Sequence, residues 1–168
     1  MFFAGVLTIS DKGWRGERVD ESGHVAQQCI KRLADFEINK YEIVPDDREV
    51  ISTKLKEWAD SVGLDLIITS GGTGLAPRDV TPEATMAVID RLVPGLIEAM
   101  RMETRKNAPT SVLSRAVAGS RGKCLIINLP GSPAGVRECL EVVLPVIPHA
   151  LEILAGKIFE GTHYSGDR

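Results

Sequence analysis

Apolar residues in this chain fall into two alternating patterns, short unbroken runs and longer stripes at helical spacing. The run Phe3 to Ile9 is continuous and β-rich, which predicts a strand buried on both faces. Glu21 to Phe36 instead sets Val25, Cys29, Ile30 and Leu33 along one helical face. Asn39 to Val44 reads as a second strand, closed by Pro45. Arg48 to Val62 returns to helical spacing, with Ile51, Leu55, Trp58 and Val62 on one stripe. Asp65 to Thr69 and Lys123 to Asn128 are the third and fourth strand signals.

Capping and breaking residues place the other elements. Thr81-Pro82 predicts a helix start, with Thr81 as N-cap and Pro82 at the first helical position. Helices are also expected over Pro94 to Lys106 and Ser111 to Ala118. Ser132 and Pro133 open a last helical region, broken near Pro145 and Pro148. The alternation predicts an α/β fold of three layers, α/β/α, with a mostly parallel central sheet covered on both faces. No internal repeat or low-complexity linker divides the chain, so a single domain over residues 1–168 is expected, fraying at Ser165 to Arg168.

Composition narrows the class of protein. At 168 residues, 43% hydrophobic and 26% charged, the chain can bury a core without disulfides or a structural metal. Its net charge of −3 and pI of about 5.7 argue against a general nucleic-acid binder. Cys29, Cys124 and Cys139 are odd in number and far apart, the pattern of reduced thiols in a cytoplasmic protein. The segment MFFAGVLTIS has no basic flank and runs directly into Asp11, so it reads as a strand rather than a leader. No apolar run approaches the ~18–20 residues of a membrane span.

In an open α/β sheet, ligands bind beyond the carboxyl ends of the strands. Four loops leave such ends: Ser10 to Gly13, Pro45 to Asp47, Ser70 to Val80, and Asn128 to Pro133. Gly71, Gly72 and Gly74 allow left-handed backbone, so successive N–H groups of the third loop can converge on an anion. It is neither a dinucleotide fingerprint, since Pro77 stands where that pattern needs glycine, nor a P-loop. Asp46 and Asp79 are two loop acids at one sheet edge, a set that suits Mg²⁺ shared with phosphate oxygens. Each also has a plain structural reading: Asp46 as a turn residue, Asp79 as a helix-start acid paired with Arg78. Arg78, Arg101 and Arg115 are candidate phosphate partners. Trp14 reads as a loop contact and Trp58 as a core residue. His24, His149 and His163 lack metal-ligand spacing and read as surface or packing residues; the serines lack an assignable histidine base.

Taken together, these loops resemble the molybdopterin adenylyltransferase family, whose fold also occurs as a domain of gephyrin. The resemblance rests on Thr8-Ile9-Ser10-Asp11, Asp20-Glu21-Ser22-Gly23, Pro45-Asp46-Asp47, Leu113-Ser114-Arg115 and, most specifically, Ser70 to Thr85 and Asn128-Leu129-Pro130-Gly131-Ser132-Pro133. It implies the molybdopterin-binding fold of molybdenum cofactor biosynthesis and Mg²⁺-assisted transfer of AMP from ATP to the terminal phosphate of molybdopterin. It further implies Asp46 and Asp79 as the catalytic and metal-positioning acids. Ser10, Asp11, Ser70, Gly71, Gly72, Thr73, Gly74, Asn128, Pro130, Gly131 and Ser132 are implied as binding residues. A homotrimer and hand-over to a molybdate-inserting protein complete what the resemblance implies. The competing expectation is a molybdopterin-binding module of the same fold without adenylylation.

Overall fold

The computed structural model describes residues 1–157; His163 and the predicted fraying at Ser165 to Arg168 lie outside them. One six-stranded sheet organises the chain, in the order β2-β1-β3-β6-β5-β4. Strands β1 (Phe2–Ile9), β2 (Phe36–Val44), β3 (Leu66–Ser70) and β6 (Cys124–Leu129) are parallel. The short β4 (Arg91–Leu92) and β5 (Ala118–Arg121) add an antiparallel edge. The chain passes from β1 outward to β2, then returns across β1 to β3. Strand order therefore reverses between β1 and β3, and a crevice opens where their carboxyl ends diverge.

Side-chain alternation along the central strands divides the core in two. Ala4, Val6, Leu66, Ile68, Leu125 and Ile127 point into one apolar cluster. On that side lie α2 (Glu21–Ile30), α5 (Pro94–Thr104), α6 (Pro133–Val143) and α7 (Ile147–Leu154). Leu7, Ile9, Ile67 and Ile126 point to the other face, against α3 (Arg48–Lys56) and α4 (Thr81–Met86). Trp58 is 1% exposed there, on a π-helical turn (Glu57–Val62) that extends α3. Gly5 makes this packing possible, since a Cβ would lie 2.8 Å from the Trp58 ring. A four-residue helix, α1 (Asp11–Trp14), follows β1 and leaves Trp14 exposed.

Several boundaries differ from the sequence reading. The first long helix stops at Ile30 rather than Phe36, because Asp35 turns through φ 63° and Phe36 starts β2 opposite Phe2. The segment expected as a helix over Ser111 to Ala118 is a 3-10 turn (Pro109–Leu113) followed by extended chain. There Val117 donates its N–H to Asn128 Oδ1, and Ala118 pairs with Ile127. Tertiary strand pairing overrides a weak local preference. Thr81 is the first residue of α4 and not its cap: its hydroxyl donates to the Gly71 carbonyl at 2.9 Å. Ser132 does cap α6, accepting from the Gly135 N–H, and Pro133 leads that helix. The chain between α6 and α7 holds Pro145, and Pro148 lies in the first turn of α7.

Candidate functional site

The crevice holds two joined cavities. The first, 640 Å³, lies between the ends of β1 and β3 and the start of α2, and is lined by Ser10, Asp46, Ser70 and Gly71 among others. The second, 500 Å³, lies towards α5 and is lined by Thr73, Gly74, Asp79, Asn128 and Pro130 among others. Gly72, Gly131 and Ser132 belong to both, so the two lobes meet there, with Asp46 on one side and Asp79 on the other. Of the binding and catalytic residues that the resemblance implies, Asp11 alone lines neither lobe, and it reaches the site through Asp46. Of the three candidate phosphate partners, Arg101 lines the second lobe while Arg78 and Arg115 line neither.

The wall between the lobes is built from backbone that only glycine suits. Gly71 has φ 100° and an added Cβ would overlap the Ile9 carbonyl oxygen; Gly72 has φ 66° and a Cβ would overlap Thr81 Oγ1. The Gly71 N–H donates to the Leu129 carbonyl at 3.1 Å, and Ser70 Oγ donates to the Pro130 carbonyl at 3.0 Å. These bonds tie the glycine loop to the loop after β6. The expectation of converging amides therefore loses Gly71, whereas the N–H groups of Gly72, Thr73 and Gly74 have no protein acceptor among the described residues. With the N-terminus of α6 opening at Ser132, this junction favours anions.

Asp46 is held by a reciprocal pair. Its Oδ2 accepts from the Asp11 N–H at 2.8 Å, while its own N–H donates to Asp11 Oδ1 at 3.0 Å. Arg78 grips both Asp11 oxygens, at 2.6 and 3.0 Å, and donates to the Asp46 carbonyl at 3.1 Å. Arg78 thus pairs with Asp11, not with neighbouring Asp79, and its guanidinium holds the Asp11 carboxyl below its ordinary range. Burial pushes the Asp46 carboxyl up; the charges of Asp11 and Asp79 add to this, against the Asp11 N–H and Arg78. Asp79 Oδ2 accepts from the Ala76 N–H at 3.0 Å, turning the carboxylate back towards Gly74.

Two expectations change in character. The fully buried Asn128 side chain is engaged within the protein: Nδ2 donates to Thr69 Oγ1 and Thr85 Oγ1, both at 2.9 Å, and Oδ1 accepts from Val117. Arg101 donates to the carbonyls of Ser114 and Ala116, and Arg115 to those of Gly74 and Asp79, so both brace loops. The three thiols are buried, and desolvation pushes Cys124 up to about 12 and Cys139 up to about 11. Such thiols are poor nucleophiles.

Asp20 stands in a segment that carries the family resemblance, but sequence reasoning assigned it no role of its own. Only 9% exposed, it caps α2 through the Gly23 N–H at 2.8 Å and accepts from Thr8 Oγ1, Ser22 Oγ and Tyr41 Oη at 2.6 to 2.9 Å. An acid three residues before the Gly23 amide was a readable cap signal; the Thr8 and Tyr41 donors come from other elements and were not. Burial opposes its charge, yet these donors together hold its pKa below the ordinary 3.8. A depressed acid stabilises the fold above its unfolded pKa, and that contribution disappears as pH falls through the folded value. Asp20→Asn is expected to cost about 1–3 kcal/mol near neutrality, as for lost hydrogen bonds to a charged group. The difference from wild type should shrink in acid; urea unfolding at a series of pH values reads it, and a pH-independent difference would refute the ionic account.

The family model described as "Probable molybdopterin binding domain" matches residues 5–149. The chain belongs to this family. A molybdopterin adenylyltransferase of Helicobacter pylori is 45% identical over 158 residues, covering 93% of this chain and 89% of that protein. The molybdopterin adenylyltransferase of Escherichia coli K12 is 35% identical, covering 93% and 87%. Among solved structures, the molybdopterin biosynthesis enzyme MoaB of Thermus thermophilus matches with TM-score 0.87 and 54% identity, covering 95% of this chain and all of that one. The α/β molybdenum cofactor biosynthesis fold is thereby established, and the two-lobed crevice lies within the matched domain.

Proposed function

We propose that the chain is a molybdopterin adenylyltransferase, a nucleotidyltransferase of molybdenum cofactor biosynthesis, and that its substrates meet at the junction of the two lobes. The observation that carries this reading is the joint at Gly72, Gly131 and Ser132, flanked by Asp46 and Asp79, with the unpartnered amides of Gly72, Thr73 and Gly74 in the loop that runs from it along the second lobe. Two separate ligands fit two lobes, and their phosphates fit the place where the lobes join. Relatives that share 35–45% of their residues with this chain and bear the adenylyltransferase name support it.

In the reaction, an oxygen of the terminal molybdopterin phosphate bonds to the α-phosphorus of ATP, and the bond from that phosphorus to the pyrophosphate oxygen breaks. Both partners are anionic, so catalysis rests on positioning and charge compensation rather than on a base. The attacking phosphate is already largely ionised, its second pKa being about 6. Amides of Gly72, Thr73 and Gly74 orient phosphate oxygens, and the loop ties at Ser70 and Thr81 keep them in place.

Among the described residues no three His, Cys, Asp or Glu side chains form a metal-holding group. Two acids with one oxygen each engaged by a backbone amide fit a different case, Mg²⁺ that arrives on the polyphosphate and keeps most of its ligands from phosphate and water. Asp46 and Asp79 would hold it, and when bound it supplies charge neutralisation for the α-phosphate and the departing pyrophosphate. Buried reduced thiols accord with a cytoplasmic enzyme. A homotrimer and hand-over to a molybdate-inserting protein belong to the same reading.

The deciding experiment mixes purified protein with molybdopterin and Mg-ATP and follows pyrophosphate. Release of one pyrophosphate per adenylylated molybdopterin is expected. Tight molybdopterin binding with no pyrophosphate would replace the enzyme by a binding module.

A further inference from the structure

Arg115 lies outside the glycine loop in sequence but is its main external brace. Its Nε donates to the Gly74 carbonyl at 2.8 Å and its Nη2 to the Asp79 carbonyl at 2.8 Å. Nη1 pairs with Glu83 on α4, and the Arg115 backbone N–H donates to the Thr73 carbonyl at 2.9 Å. One planar group thus spans both ends of the Gly74–Asp79 turn, from 36 and 41 residues away along the chain. Inside that turn, Asp79 Oδ2 sits against Gly74, where a Cβ would be 2.8 Å from it, and accepts from the Ala76 N–H. The direction of the Asp79 carboxylate is therefore set by how closely Gly74 and Asp79 are held together.

We propose that Arg115 is a positioning residue for Asp79, closing the Gly74–Asp79 turn so that the carboxylate keeps its place in the wall of the second lobe. This inference rests on the assigned role of Asp79. Two geometric points favour it over a role as a phosphate ligand. Its three kinds of guanidinium nitrogen each already contact this loop or α4. The two carbonyls also need donors in a fixed fork, which arginine has and lysine lacks. Glu83 keeps the fork in plane, and Arg115 in turn holds the Glu83 carboxyl below its ordinary range.

The test is a double-mutant cycle on the full-length protein, with Arg115→Lys and Asp79→Ala alone and combined, read as pyrophosphate release. Arg115→Lys keeps the charge and the aliphatic stem but cannot bridge both carbonyls. It is expected to lower kcat by about 10²-fold, the scale of a misplaced catalytic group, with KM for Mg-ATP little changed. In the Asp79→Ala background the same change should add almost nothing, because the group it positions is gone. Arg115→Gln, a neutral variant with a shorter fork, serves as an independent second arm and should show the same loss of additivity. Full multiplication of the two defects, or a defect confined to KM, would overturn the proposal. Unimpaired turnover in Asp79→Ala alone would instead sink the role of Asp79, a separable outcome.

Discussion

Asp79→Ala is expected to lower turnover by about 10²–10³, the range typical of removing one preorganised electrostatic contact, while the thermal unfolding midpoint stays near wild type. Among the described residues the side chain makes one hydrogen bond, accepting from the Ala76 N–H on an exposed loop, so little stability depends on it. Asp46→Asn should be comparably slow for the same reason. Asparagine keeps an oxygen to accept from the Asp11 N–H, so the loop contact survives and the charge alone is lost. Wild-type activity should also fall in acid as Asp46 takes up a proton, at a pH above the ordinary carboxyl value of 3.8 because burial disfavours its ionised form. Pyrophosphate release at saturating substrates measures the two variants, and kcat/KM against pH, which reports the free enzyme, measures the acid effect. Turnover within a few-fold of wild type in both single variants would remove the acids from the mechanism.

Gly72→Ala should be the second most damaging change, and it acts through shape. At φ 66° a side chain strains the backbone, and the new methyl would overlap Thr81 Oγ1 and lie 3.3 Å from Asp46 Oδ1. The expected cost is about 1–3 kcal/mol of stability from the forced backbone. A fall in kcat/KM of about 10²-fold should accompany it, since the junction amide moves with the loop. Gly63→Ala is the matched control: φ is 75°, but nothing lies within 4 Å of the added carbon. It should lose stability alone. Urea midpoints and pyrophosphate kinetics on the pair separate strain from function, and equal activity in both variants would show that the Gly72 wall is passive.

Much of this molecule could be read from residue order because its strongest signals are local. Three of the four parallel strands, β1, β3 and β6, are short apolar runs with no competing period, and three of the helices carry their start signals in Pro82, Pro94 and Ser132-Pro133. Parallel strands separated by helices also require their loops to gather at one sheet edge, so Asp46 and Asp79 could be placed together without coordinates. Those inferences depend on backbone periodicity and chain connectivity, which every window of sequence carries.

What residue order left undecided depends on partners far away in the chain. The antiparallel edge formed by β4 and β5 is two and four residues long, too short for a periodic signal, and β5 exists because β6 offers it a ladder. Arg78 chose Asp11 over its neighbour Asp79, Asn128 turned inward to Thr69 and Thr85, and Arg115 closed on loop carbonyls instead of remaining open for phosphate. Asp20 acquired its Thr8 and Tyr41 donors from two different strands. Polar side chains have several chemically equal partners within reach of their own segment, and folding selects among them by which donors and acceptors become buried together. Local pattern settled the strands, the helices and the meeting place of the loops, while the three-dimensional packing alone settled which charges brace the site and which face the ligand.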